Sequence, residues 1–142
     1  MASYAPLFVN DNDRRWNPDA IVFNSNQVYG TPSYWVQTLF KESNGATFLE
    51  SQFQTLNPNL ADASVISWEN PRNNKKIYLR IKVANLGETQ LNLNISLNGF
   101  VSSDITKSTK TVVTQTSPLE NPGNKMNVVT PPLSFTVFDL LK

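Results

Sequence analysis

The stretch Lys76–Leu97, KIYLRIKVANLGETQLNLNISL, decides the fold class. Ile77, Leu79, Ile81 and Val83 alternate with Tyr78, Arg80 and Lys82, and then Leu91, Leu93, Ile95 and Leu97 alternate with Asn92, Asn94 and Ser96. A period of two puts every apolar side chain of such a run on one face of a strand. The intervening Ala84-Asn85-Leu86-Gly87-Glu88 carries turn chemistry, so the two runs are expected to form a hairpin. Further along, Leu133, Phe135 and Val137 alternate with Ser134 and Thr136, predicting a last strand that ends near Leu140. Weaker strand signals fall at Ala46–Glu50, Ser64–Trp68, Thr109–Thr116 and Asn127–Val129, and Leu119–Lys125 reads as a surface loop. Short strands with one apolar face each predict a mainly β chain, an antiparallel two-sheet sandwich of jelly-roll type.

Upstream of Gly45 the pattern is different. Asn10-Asp11-Asn12-Asp13 is a run of short side chains that bond their own backbone and favour a turn. Ala20–Phe23, AIVF, is a brief β-branched run that suits a buried strand. A helix then follows over Thr31–Ser43. Thr31 is placed to cap it, Pro32 fits its first turn, and Asn44-Gly45 supplies a left-handed stop. Trp35, Val36, Leu39 and Phe40 form one apolar stripe on that helix. The front of the chain is thus one strand and one helix ahead of an all-β remainder.

Composition narrows the function classes. Twelve Lys+Arg stand against eleven Asp+Glu, and the densest basic clusters, Lys75-Lys76 and Arg14-Arg15, are too small to displace counterions from a nucleic acid. The chain has neither cysteine nor histidine. That removes thiolate chemistry, His-dependent triads and the common zinc ligands, so no metal and no cofactor is expected. No apolar run reaches the roughly 20 residues that cross a bilayer, and Met1-Ala-Ser-Tyr lacks the regions of a signal peptide.

The segment SYAPLFVNDNDRRWNPDAIVFNSNQVYGTPSYWVQTLF resembles the signature of plant α-L-arabinofuranosidases of glycoside hydrolase family 51. The similarity continues through SWEN (Ser67–Asn70), YLRIKVANLG and the closing PPLSFTVFDLLK. In that family a (β/α)8 barrel precedes a C-terminal β-sandwich. The resemblance implies that residues 1–45 are the end of the barrel, with Met1–Val9 closing the penultimate helix, Ala20–Phe23 the last strand and Thr31–Ser43 the last helix. Residues 46–142 would be the sandwich.

The resemblance also implies that both catalytic glutamates lie on earlier barrel strands, at positions before Met1. No catalytic residue is therefore expected in this chain. Retaining glycosidases need two carboxylates about 5–5.5 Å apart. Asp11, Asp13 and Asp19 instead sit beside Arg14 and Arg15, where ion pairing explains them, and Glu42, Glu50, Glu69, Glu88 and Glu120 are scattered.

Sugar-binding candidates are Asn24 and Tyr29, in a loop that would face the barrel's active site, and Trp68, at a strand end where a ring could serve as a platform. Packing is the competing explanation for each, as it is for Trp16, Trp35, Phe40 and Phe48. Asn94-Ile95-Ser96 is an N-glycosylation sequon whose Asn and Ser should face outward. With 18 Asn and 25 Ser+Thr, about three sequons arise by chance, so the motif alone is weak.

Three functions are expected from these readings. The first is the non-catalytic C-terminal part of a secreted plant cell-wall arabinofuranosidase acting on arabinan or arabinoxylan, whose partner is the missing barrel. Without the barrel, the N-terminal segment would self-associate or fold back. The second is a stand-alone carbohydrate-binding sandwich, and the third a cryptic hydrolase.

Overall fold

The computed structural model describes residues 3–70, 76–101, 105, 107–112 and 115–141. Lys75, Met1 and two positions of the expected strand Thr109–Thr116 lie outside them. The chain divides into two compact units, Met1–Lys41 and Glu42–Lys142.

The first unit holds a three-stranded sheet of β1 (Phe8–Asn10), β2 (Ile21–Phe23) and β3 (Val28–Gly30), followed by α1 (Pro32–Thr38). β2 is central, parallel to β1 and antiparallel to β3. The sequence pattern shows only the middle strand, which lies in the apolar, β-branched run Ala20–Phe23, whereas β1 and β3 end in Asn10 and Gly30 and carry no such run. Where the resemblance implied the end of a helix in Met1–Val9, the chain forms β1 instead. Val22, Ala20 and Asp19 are fully buried, so the centre of this small unit is the β2 backbone and what leads into it.

α1 is two turns long, shorter than expected. The Leu39 amide donates to Val36 O and the Phe40 amide to Gln37 O, i→i+3 bonds that tighten and end the helix. A 3-10 turn at Lys41–Ser43 follows, and Gly45 does adopt the left-handed conformation, with φ +78°. Thr31 occupies the cap position without capping: its hydroxyl donates to Asp19 O and Ala20 O, leaving the helix amides alone. The expected apolar stripe is not buried either, as Trp35 and Phe40 stay about two-fifths exposed.

The second unit is the sandwich. Its large sheet has six strands in the order β4 (Thr47–Leu49), β5 (Ala61–Asn70), β6 (Lys76–Asn85), β11 (Ser134–Leu141), β8 (Lys107–Val112) and β9 (Gln115–Pro118). The small sheet pairs β7 (Leu91–Ser96) with β10 (Lys125–Thr130). All pairings in both sheets are antiparallel.

The expected hairpin between the Ile77–Val83 and Leu91–Leu97 runs is not formed. Segment 84–88 carries the chain from the large sheet to the small one. Asn85 fixes that crossing: its side-chain amide, almost wholly buried, donates to Thr89 O and Pro131 O and accepts from the Gly87 amide.

Leu79, Ile81 and Val83 of β6 and Phe138 and Leu140 of β11 form the core with Met126 and Val128 of β10, and Leu91, Leu93 and Ile95 pack against them. Each such fully buried side chain contributes about 1.5–3 kcal/mol relative to exposure. The register sets Phe138 against Ile81 and Leu140 against Leu79, so the two central strands present one continuous apolar face.

Candidate functional site

On the first unit, the loop expected to face an active site is the β2–β3 turn. Asn24 Oδ1 accepts from the amides of Asn26 and Gln27, both at 2.8 Å, and the Asn24 amide donates to Gln27 O. Asn24 is thus the residue that shapes the turn. Tyr29 lies on β3 opposite Val22, with its ring about half exposed. Trp16, at 61 % exposure, is the most open tryptophan of this unit.

The entrance to β2 is a polar lock. Asp19 is fully buried, and its Oδ2 accepts from Arg14 Nε at 2.8 Å. The other oxygen, Oδ1, has no hydrogen-bond partner among the described residues. The Asp19 carbonyl takes the Thr31 hydroxyl at 2.5 Å, and the Thr31 amide donates to Ala20 O. Gly30 is required beside it, since a Cβ there would lie 2.4 Å from Tyr34 Cδ1. Arg15 pairs with Asp13 on the surface, where an ion pair adds little.

On the second unit, the face of the large sheet opposite the core carries the charged side chains that alternate with Leu79, Ile81 and Val83. That face is covered too along β6 and β11: Arg80, Lys82 and Val137 are all buried. Arg80 forms a two-pronged contact with Asp139 on the neighbouring strand, Nε to Oδ1 at 2.7 Å and Nη2 to Oδ2 at 2.9 Å. Its Nη1 donates to Glu42 Oε2 at 2.5 Å. Burial pulls the Arg80 pKa down, but bonds and charge from Asp139, then from Glu42, outweigh it and raise the net value. Lys82 donates to Ser43 Oγ. Its pKa is lowered, first by burial and then by the Arg80 charge.

Trp68 belongs to this face. Its ring stacks on Tyr78 at a centroid distance of 4.8 Å, and the Arg80 guanidinium lies 5.6 Å from the Trp68 centroid. Trp68 is half-buried, so the flat exposed platform expected of it is taken up by packing. Beside it lies a cleft of about 160 Å³ lined by Trp68, Tyr78, Ser108, Thr109, Asp139 and Leu141. Asp139 is engaged by Arg80 there.

Asp19, Glu42 and Asp139 each hold an arginine. Among the described residues no group of three or more acidic side chains is placed to hold a metal, and no helix is long and apolar enough to cross a membrane. Asn94 is exposed on β7, as is Ser96 two residues on. The Arg80–Asp139–Glu42 cluster escapes a reading of the sequence, since charges alternating with apolar residues look like a solvated face until their burial is known.

Comparison with known proteins agrees with this fold. Residues 1–140 match the model of the α-L-arabinofuranosidase C-terminal domain family. The whole chain is 49 % identical to α-L-arabinofuranosidase 1 of Arabidopsis thaliana, and 99 % of it is 44 % identical to α-L-arabinofuranosidase 2. A probable α-L-arabinofuranosidase A of Aspergillus terreus is 29 % identical over 92 % of the chain. The chain spans 23 % of the length of each Arabidopsis relative. Among solved structures, a GH30 endoxylanase from Clostridium papyrosolvens shares the fold, with a TM-score of 0.55 and 12 % identity over 80 % of this chain and 28 % of that one. The chain belongs to the α-L-arabinofuranosidase C-terminal domain family.

Proposed function

We propose that this chain acts as the non-catalytic C-terminal part of a secreted plant arabinofuranosidase that removes arabinose from cell-wall arabinan or arabinoxylan. One observation carries the reading. A family match runs through residues 1–140, yet the chain spans under a quarter of its plant relatives, and its buried or paired carboxylates are bound to arginines. The sandwich has its own core, and its part is structural. The first unit would supply the last strand and helix of a catalytic barrel. Its open apolar side chains, Phe8, Trp16 and Val28 at 59–71 % exposure, support a partner surface. The preceding part of the enzyme would cover them, and without it the chain would self-associate through this unit.

Co-expression with the polypeptide that precedes the equivalent position in an Arabidopsis relative tests the reading. Hydrolysis of p-nitrophenyl arabinofuranoside is expected from the pair and not from the chain alone. Turnover by the chain alone would overturn it. The exposed rings of Trp16 and Tyr29 favour a second reading, a carbohydrate-binding module. Calorimetric titration with arabinan decides that one, since loss of any binding heat removes it.

A further inference from the structure

We propose that Asn94 is an N-glycan acceptor and that the outer face of the β7–β10 sheet carries carbohydrate. The sequon Asn94-Ile95-Ser96 is weak as a motif, and its position supplies what the motif lacks. Residues two apart share a face of a strand, and the burial of β7 alternates so that Asn92, Asn94 and Ser96 are exposed while Leu91, Leu93 and Ile95 turn to the core. The opposing strand repeats the pattern, with Lys125, Asn127 and Val129 exposed and Met126, Val128 and Thr130 buried.

The register sets Asn94 directly against Asn127 and Ser96 against Lys125. Among the described residues no hydrogen bond engages the Asn94 side chain, in contrast to Asn85 and Asn24, whose amides build turns. The acceptor nitrogen is therefore open to solvent.

The location within the sandwich matters as much. β6 and β11 of the large sheet are buried on both faces, so a sugar chain on either central strand would have to displace packing. On the small sheet, Asn92, Asn94 and Ser96 of β7 and Lys125, Asn127 and Val129 of β10 share one exposed face. A glycan is a large hydrated group that a fold can carry only where it never has to be buried. Attached at Asn94, it would also cover Val129, which is 41 % exposed.

The proposal rests on the secretory location proposed above, because the transfer occurs only on chains that enter the secretory pathway. The chain is therefore secreted from insect cells behind a generic signal sequence, which forces entry whatever its native address. Intact mass is measured before and after enzymatic release of N-glycans. We expect the mass to fall by one glycan and the released peptide to carry aspartate at position 94. Asn94→Gln and Ser96→Ala should abolish the shift, whereas Ser96→Thr should keep it. These changes lie on an exposed face, and far-UV circular dichroism confirms folding. An unmodified position 94 in the secreted parent overturns the assignment. A glycan on that protein, but none on the protein isolated from plant tissue, supports the acceptor and overturns the secretory location.

Discussion

Replacing Asp139 by asparagine should remove a large fraction of the sandwich's stability. The Arg80 side chain is only 9 % exposed, so its charge depends on the protein for solvation. Asp139 accepts two hydrogen bonds from it, at 2.7 and 2.9 Å, and Glu42 a third. At an effective dielectric near 20, opposite charges about 4 Å apart attract by ~4 kcal/mol, partly offset by desolvation. Asparagine keeps the shape and one acceptor but turns an NH2 toward a guanidinium donor. A charged hydrogen bond worth roughly 1.5–3 kcal/mol is lost and part of the attraction with it.

A loss of about 2–4 kcal/mol is expected, slightly less than for breaking a fully buried pair, because Asp139 is 20 % exposed and water can re-enter. Glu42→Gln touches a more open carboxylate and one bond, so about 1–2 kcal/mol is expected. The triple change Arg80→Met, Glu42→Gln and Asp139→Leu removes all three charges of the cluster together and should stay within about 1 kcal/mol of the parent. Urea unfolding followed by tryptophan fluorescence reads the cycle, with an unchanged m-value as the check on two-state behaviour. A loss below about 0.5 kcal/mol for Asp139→Asn, or one smaller than that of Glu42→Gln, refutes the reasoning.

Thr31→Val should cost about 1–2 kcal/mol in the first unit and speed amide exchange along β2, because two hydroxyl bonds to Asp19 and Ala20 carbonyls disappear. Thr31→Asp, a good helix cap, should fail to rescue it, since the native hydroxyl caps nothing. Gly30→Ala should cost about 1–3 kcal/mol by thermal unfolding, through the clash with the Tyr34 ring. In a Tyr34→Ala background the same change should cost under about 1 kcal/mol. Lys82 has a folded pKa below its unfolded one, so the unfolded chain binds more protons between the two values. Stability should therefore rise with pH from the lowered folded value toward the ordinary lysine value of about 10.4, and Lys82→Met should remove that rise in pH-dependent denaturation.

The alternation of Ile77, Leu79, Ile81 and Val83 located β6 within two residues, because a strand facing a core on one side writes its period into the sequence. Partner choice was not legible. Ala84–Glu88 reads as a hairpin turn, yet β7 pairs with β10 across the sandwich. The same local chemistry serves both, and the deciding bond, Asn85 to Pro131 O, spans 46 residues.

The polar lock of the first unit was hidden for a related reason. Thr31 before Pro32 has the signature of a cap, and only the position of Asp19 and Ala20 diverts its hydroxyl. Exposure of Asn94 followed from parity alone, whereas the packing of Trp68 against Tyr78 needed the register.

Glu42 and Ser43 bear on where this polypeptide can be cut. Tolerance to truncation follows the bonds of the residues removed. The sequence pattern invites a cut at Ala46, ahead of the first strand of the sandwich. Such a cut discards the carboxylate held by Arg80 and the hydroxyl held by Lys82. A sandwich meant to be handled by itself should start no later than Glu42, so that the short lead-in travels with the sheet it fastens.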